Sequence, residues 1–127
     1  MTRRLRIGTR DSELALWQAH FVRDRLTQNG QDSVLVPVKS TGDLVLDKPL
    51  YELGITGIFT KTLDVALLKG EIDLAVHSMK DVPTALPLGI VQGAVFERAN
   101  PLDLLVHKGL DFLNAEGIVA TGCLLYT

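Results

Sequence analysis

The sequence has one cysteine, a small net charge and no long apolar run. It therefore lacks the features of disulfide-bonded, nucleic-acid-binding and membrane-spanning proteins. Its 127 residues contain one cysteine, Cys123, which by itself forms neither an intrachain disulfide nor a zinc site. The formal net charge of −2 gives no overall field that attracts nucleic acid or an acidic membrane surface. No apolar run is long enough to cross a bilayer, and the basic opening lacks the apolar segment of a secretion signal. We therefore expect a cytoplasmic protein that binds neither nucleic acid nor membrane.

Apolar residues are common enough to build a folded core, since 46% of the chain is hydrophobic. This share fits one globular domain or a large part of one. Residues 5–9 form a short apolar stretch that predicts a strand. Beyond it, apolar residues recur every three or four positions between a typical helix start at Asp11 or Ser12 and a typical helix end at Asn29-Gly30. These apolar residues, which predict a helix, are Leu14, Ala15, Ala19, Phe21, Val22 and Leu26.

The rest of the chain alternates between strand and helix patterns. Strands are predicted at residues 34–38, 72–76, 90–96 and 103–107, a helix runs from Phe59 to Lys69-Gly70, and a short helix is predicted at 110–115. Residues 40–57 carry glycine and proline without a period, which is typical of a long loop that acts as a lid. This order predicts an α/β fold with a mostly parallel sheet flanked by helices.

A hinge is expected where the pattern breaks after the strand predicted at residues 90–96. Residues 97–101 read Glu-Arg-Ala-Asn-Pro, and a new strand and short helix are predicted beyond them. We expect residues 1–96 to form a first domain with its lid at about 40–57. Residues 102–127 are then the truncated beginning of a second domain.

A polar turn follows the strand predicted at residues 72–76. The turn reads His-Ser-Met-Lys-Asp over residues 77–81, and ligands of open α/β sheets bind at the carboxyl ends of the strands. A carboxylate in that place, here Asp81, can give or take a proton or stabilise a cation. From spacing alone, the alternative that Asp81 caps the turn and Lys80 is solvated stays equally open.

A second set of polar side chains lies where the first predicted strand meets the first helix. Arg10 can hold a carboxylate or phosphate there, and Gln18, two turns into the helix, can face the same crevice. The ordinary alternatives are an exposed ion pair of Arg10 with Asp11 or Glu13, and a surface position for Gln18.

Three other patterns in the sequence give weaker evidence for a binding site. Thr41 and Gly42 can form an anion nest, but their surroundings match neither of the common nucleotide-binding glycine patterns, so no nucleotide cofactor is implied. The three histidines have no ligand spacing with one another, so no metal site is expected. Trp17 and Phe21 are expected in the core rather than as a platform on which bases stack.

Four segments resemble one enzyme family closely. They are RIGTRDSELALWQ at residues 6–18, KSTGD at 39–43, GIFTK at 57–61 and IDLAVHSMKDVP at 72–83. The family is porphobilinogen deaminase, also called hydroxymethylbilane synthase, and the resemblance covers about residues 4–122.

The resemblance implies an enzyme that joins four porphobilinogen units head to tail, with release of ammonia at each step. Its product is the linear tetrapyrrole of haem and chlorophyll biosynthesis. The resemblance also implies a lobe of the periplasmic-binding-protein type (type II), a small-molecule substrate and a usually monomeric protein. It implies a dipyrromethane cofactor attached to a cysteine that this chain does not contain.

The resemblance assigns roles to particular residues of the polar turn and the first helix. Asp81 is similar to the family's catalytic carboxylate, which stabilises a cationic pyrrole and handles the proton of the departing amine. The groups implied to hold cofactor and substrate, whose acetate and propionate side chains make the ligand a polyanion, are Arg10, Ser12, Gln18, Ser78, Lys80 and Thr121.

Two departures from the family pattern accompany this resemblance. Thr56 stands where the family's lid often has a lysine, and the two arginines expected after Gly122 are missing. We expect residues 123–127 to be foreign to the reading frame and the chain alone to be inactive. An alternative from another class is a non-catalytic lobe that binds a small carboxylate.

Overall fold

The computed structural model describes residues 3–39, 60–102, 104–107, 109–114 and 117–120. The chain divides into two units, Met1–Gly93 and Ala94–Thr127. The first unit contains strand β1 (Leu5–Thr9), helix α1 (Glu13–Gln28), strand β2 (Ser33–Pro37), helix α2 (Lys61–Leu68), strand β3 (Leu74–Ala75) and a 3-10 turn (Met79–Asp81). The second unit contains a 3-10 turn, Asp111–Asn114. No helix in the described residues is long and apolar enough to cross a membrane.

The three strands form one parallel sheet in the order β2-β1-β3. Ile7 of β1 lies opposite Leu35 of β2 on one side and opposite Leu74 of β3 on the other. The α/β fold with a parallel sheet is confirmed. Because the chain leaves β1 for β2 on one side and later returns to β3 on the other, the order reverses between β1 and β3. Open sheets of this kind bind ligands at such a point.

Helix α1 begins and ends at the residues that the sequence predicts. The Ser12 hydroxyl accepts a hydrogen bond from the Ala15 N–H at 3.4 Å, which caps the first turn. At the other end the chain turns at Gly30, whose φ of 77° is a left-handed conformation that glycine adopts without strain. Ala19 is fully buried on the side of the helix that packs against the sheet.

The core lies between the sheet and α2. Its buried residues are Leu63 and Ala66 of α2 and Ile72, which precedes β3. Gly8 of β1 is also buried, and a Cβ there would overlap Cδ1 of Ile72 and lie 3.0 Å from Cδ2 of Leu63. The absence of a side chain at Gly8 therefore makes room for Ile72.

An ion-pair cluster ties the amino end of β1 to the segment that enters β3. Asp73 accepts hydrogen bonds from the backbone N–H, Nε and Nη2 of Arg6 at 2.8–3.0 Å, and from Arg3 Nη2 at 2.7 Å. Arg6 also donates to the Gly70 carbonyl at 2.7 Å. The hydrogen bonds from Arg6 hold the pKa of the Asp73 carboxyl far below its usual range.

Several expectations about the later part of the chain are wrong. No strand forms in residues 90–102 or 104–107, and Val91, Leu104 and Val106 are 84%, 93% and 95% exposed. These segments have the composition of strands but no neighbouring strand to pair with among the described residues, and strand pairing is what stabilises such a sequence. The predicted strand at residues 72–76 is shorter than expected, whereas the short helix expected near residues 110–115 is a 3-10 turn.

The aromatic residues of α1 lie outside the core, contrary to expectation. Trp17 is 65% and Phe21 39% exposed, and their rings stack with centroids 6.4 Å apart. The Arg25 guanidinium lies 5.2 Å from the centroid of the Phe21 ring. The helix packs on the sheet through the small Ala19 instead, so the larger rings on its other face are left at the surface.

Candidate functional site

A small pocket lies at the carboxyl ends of β1 and β3, where the sheet order reverses. Its volume is about 40 Å³, room for a few water molecules or one carboxylate group. The residues that line it come from the end of β1, the first turns of α1 and the segment after β3; they are Arg10, Ser12, Leu14, Ala15, Gln18, Val76, His77, Ser78, Lys80 and Asp81.

This pocket brings together six of the predicted site residues, namely Arg10, Ser12, Gln18, Ser78, Lys80 and Asp81. The seventh binding or catalytic candidate, Thr121, lies outside the described residues. Thr41, Gly42 and the expected lid at 40–57 lie outside them as well. Parallel strands place their carboxyl ends at one edge of the sheet, which is why residues about 70 positions apart meet here.

Thr9 fixes the turn that presents Arg10, although nothing in its sequence pattern marked it as a site residue. It is the last residue of β1 and is fully buried. Its hydroxyl lies 3.1 Å from the carbonyl oxygens of both Arg10 and Ala15, which share its single proton. The end of the strand is thereby tied to the first turn of α1. The position of a threonine directly before the candidate Arg10 was the sequence feature that could have indicated this role.

Arg10 and Asp81 face each other across the pocket. Arg10 Nη1 lies 3.8 Å from Asp81 Oδ2, and the two side chains are only 19% and 17% exposed. At this distance the charges attract without a close hydrogen bond between these two atoms. The Arg10 side chain is therefore largely buried, unlike that of an arginine in an exposed surface pair.

Gln18 and Ser78 are linked directly. Ser78 Oγ donates to Gln18 Oε1 at 3.0 Å, and the two residues are 60 positions apart in the chain. Gln18 is half-buried, so the alternative of a surface glutamine is wrong. Together these side chains join α1 to the turn that follows β3.

Lys80 and Asp81 are positioned by the short 3-10 turn after β3. Ser78 has an extended backbone, and the Asp81 N–H donates to the Ser78 carbonyl at 3.0 Å. The turn points the two neighbouring residues differently, since Lys80 is exposed and Asp81 half-buried. Within the described part of the chain Lys80 makes no hydrogen bond or ion pair, so its ammonium group is available to an anion.

His77 is a further ionisable group of the pocket. Burial lowers its pKa below the usual histidine value, while the nearby carboxylates Asp64 and Asp81 act in the opposite direction and Arg10 adds to the lowering. Burial therefore favours the uncharged imidazole. The charged groups that line the pocket are then two cations, Arg10 and Lys80, and one carboxylate, Asp81.

The donors around the pocket fit a ligand that carries carboxylates. Arg10 and Lys80 supply positive charge, and the Ser12 hydroxyl keeps its proton for a ligand because its oxygen accepts from Ala15. These residues therefore suit the acetate and propionate groups of a dipyrromethane. The volume accommodates one such group rather than a pyrrole ring. No cluster of three or more histidine, cysteine, aspartate or glutamate residues that could bind a metal occurs among the described residues.

Comparison with known proteins identifies the family that the chain resembles. The family model "Porphobilinogen deaminase, dipyromethane cofactor binding domain" matches residues 5–125. A porphobilinogen deaminase of Pelotomaculum thermopropionicum is 48% identical over 129 residues, which cover 98% of this chain and 41% of that protein. Those of Desulfitobacterium hafniense and Geobacter sulfurreducens are each 49% identical, over 94% and 87% of this chain and 41% and 36% of their own lengths.

The chain thus spans about two fifths of the length of the curated relatives it matches. The family match covers nearly all of the chain, including every residue that lines the pocket. The resemblance seen in the sequence segments is confirmed, and the chain belongs to the porphobilinogen deaminase family.

Proposed function

We propose that this chain forms the first lobe of a hydroxymethylbilane synthase, which joins four porphobilinogen units head to tail and releases ammonia at each step. The observation that carries this proposal is the meeting of Arg10, Lys80 and Asp81 at one pocket in a chain of this family. Residues 1–96 form the lobe, 97–101 the hinge, and 102 onwards the start of a second lobe. The protein works as a monomer in the cytoplasm.

In this proposal Asp81 is the catalytic carboxylate. Loss of ammonia from an aminomethyl pyrrole leaves a delocalised cation, and a half-buried carboxylate stabilises positive charge more strongly than water does. The same carboxylate takes up and returns the proton that the amine needs to leave. Its pairing with Arg10 at 3.8 Å holds it in place.

The remaining pocket residues hold the ligand in this proposal. Arg10 and Lys80 bind carboxylates, Ser12 and Gln18 donate hydrogen bonds, and Thr121, whose role the family resemblance implies, also binds the ligand. A bound dipyrromethane supplies the pyrrole to which new units are joined. Because one wall of a crevice positions a ligand poorly, the 127-residue chain alone is expected to be inactive.

The test is a hybrid protein in which residues 1–120 of this chain are followed by the remaining part of the Pelotomaculum relative. Tetrapyrrole formation from porphobilinogen is measured for the hybrid, for Asp81→Asn, and for a matched control, Asp24→Asn. Asp24 lies on α1 at the surface, paired with Arg23. We expect Asp81→Asn to lower kcat about 10²- to 10⁴-fold and Asp24→Asn to have no effect.

The alternative, a lobe that only binds a small carboxylate, gives a different result. A pure binder retains porphobilinogen affinity in the hybrid and forms no tetrapyrrole at all. An active hybrid in which Asp81→Asn turns over at the unmodified rate contradicts the role of Asp81.

A further inference from the structure

The hydrogen bond between Ser78 and Gln18 determines which end of the Gln18 amide is available to a ligand. Ser78 Oγ donates to Gln18 Oε1 at 3.0 Å, and both residues line the pocket. A side-chain amide carries its acceptor on Oε1 and its two donors on Nε2. With Oε1 engaged, Nε2 is left for another partner, and it makes no hydrogen bond within the described part of the chain.

The alternative orientation of the amide would oppose anion binding. If Oε1 were free, its lone pairs would be presented to a pocket that already contains the Asp81 carboxylate. A second acceptor beside Asp81 repels a carboxylate ligand, whereas an N–H donor attracts it. The orientation of Gln18 therefore decides whether this side chain favours or disfavours the ligand.

The link also spans the part of the sheet where the ligand is expected. Gln18 belongs to α1, and Ser78 belongs to the turn after β3 that carries Lys80 and Asp81. A hydroxyl on the turn thus controls a donor on the helix. This arrangement differs from the direct ligand contact that the family resemblance implies for Ser78.

We propose that Ser78 is a positioning residue that acts through Gln18, holding its amide so that Nε2 donates to a carboxylate of the ligand. This inference rests on the function proposed above. It makes Gln18 a residue that selects carboxylate groups over neutral amides or esters, whose acceptor oxygens carry no share of a negative charge.

A double-mutant cycle in the hybrid protein tests the inference. Gln18→Ala removes the donor, and we expect kcat/KM to fall about 10- to 100-fold, as for a hydrogen bond to a charged group. Ser78→Ala frees the amide and lowers kcat/KM about 2- to 10-fold. In the Gln18→Ala background, Ser78→Ala causes no further loss, because there is no amide left to orient.

Two further variants separate positioning from a general structural effect. Ser78→Thr keeps the hydroxyl and restores activity, and Thr27→Ala, which removes a hydroxyl bonded to the Arg23 carbonyl further along α1, leaves kcat/KM unchanged. Gln18→Glu keeps an acceptor for Ser78 but replaces the donors with negative charge, so it loses at least as much activity as Gln18→Ala. Multiplicative losses for Ser78→Ala and Gln18→Ala overturn the inference, since they show that Ser78 acts on the ligand directly.

A second measurement uses the hybrid protein and does not require turnover. The side-chain ¹⁵NH₂ resonances of Gln18 are followed while porphobilinogen is added. We expect two well-separated proton shifts that move as the ligand binds, and values averaged toward free glutamine in Ser78→Ala. Shifts that do not respond to porphobilinogen, or that are unchanged in Ser78→Ala, overturn the inference. An inactive hybrid with responsive Gln18 resonances instead contradicts the proposed enzyme activity alone.

Discussion

In the core, the side chain of Ile72 occupies the space that a side chain at Gly8 would need. Adding a methyl group at position 8 and removing one at position 72 tests this packing. A Cβ on Gly8 would overlap Cδ1 of Ile72 and lie 3.0 Å from Cδ2 of Leu63. Gly8→Ala alone is therefore expected to destabilise the chain by about 1–3 kcal/mol, the usual cost of adding a methyl group to a packed core. Ile72→Val removes Cδ1 and is expected to cost about 0.5–1.5 kcal/mol.

The double variant is expected to cost less than the sum of the two. In Gly8→Ala/Ile72→Val the new methyl fills the space that Cδ1 vacates, so the total volume is conserved. We expect a loss of about 0.5–1.5 kcal/mol for the pair, and a favourable coupling of at least about 1 kcal/mol between the two sites.

The measurement is urea unfolding of the four proteins, followed by far-ultraviolet circular dichroism and analysed with a common m-value. Gly93→Ala is the matched control, because a Cβ at Gly93 meets nothing within 4 Å, and we expect it to change stability little. Additive losses for Gly8→Ala and Ile72→Val would show that the two positions do not compete for the same space, and would refute the packing reason given for the glycine at position 8 of β1.

Three further predictions concern stability. Ser33 Oγ is buried without a hydrogen-bond partner in the described structure, so Ser33→Ala is expected to stabilise the chain by about 1 kcal/mol in urea unfolding; a destabilisation would mean that the hydroxyl is bonded. Ser12→Ala removes the cap of α1 and is expected to cost about 0.5–2 kcal/mol, whereas Ser12→Asp retains stability. Asp73 has a lowered pKa when folded, so its ion pairs stabilise the chain above the unfolded carboxyl pKa and lose that effect as the pH falls below it. Asp73→Asn should therefore lower the thermal midpoint at pH 7 and approach the unmodified protein near pH 2; a difference that does not depend on pH contradicts this.

The elements of the first unit could be predicted because each has a local signal. β1 matches its predicted residues, α1 starts at Ser12 and ends before Gly30, and α2 ends before Gly70, which also has a left-handed backbone. Capping residues and glycines act within a few positions of themselves, so their effect is visible in the sequence. The strands predicted at 90–96 and 103–107 had only composition to support them, and composition does not supply a partner strand.

The exposure of the two aromatic residues of α1 was harder to predict than the helix itself. Phe21 falls on the apolar period of α1, yet both Phe21 and Trp17 lie at the surface and stack on each other. The spacing of apolar residues predicts which of them lie on the same face of a helix. How many of them are buried depends on how the neighbouring sheet packs against that face. The small Ala19, the fully buried residue of α1, allows the helix to approach the sheet closely, while Trp17 and Phe21 lie outside the contact.

In the candidate site too, features that depend on neighbouring residues could be predicted, whereas contacts between distant segments could not. Arg10 and Asp81 could be chosen from the sequence because each directly follows a strand, and the ends of parallel strands meet. The bond from Ser78 to Gln18 joins residues 60 positions apart and depends on the angle between α1 and the turn after β3. No pattern in either segment encodes that angle. A family resemblance can therefore name both residues as ligand contacts, while only their geometry distinguishes the side chain that touches the ligand from the one that orients it.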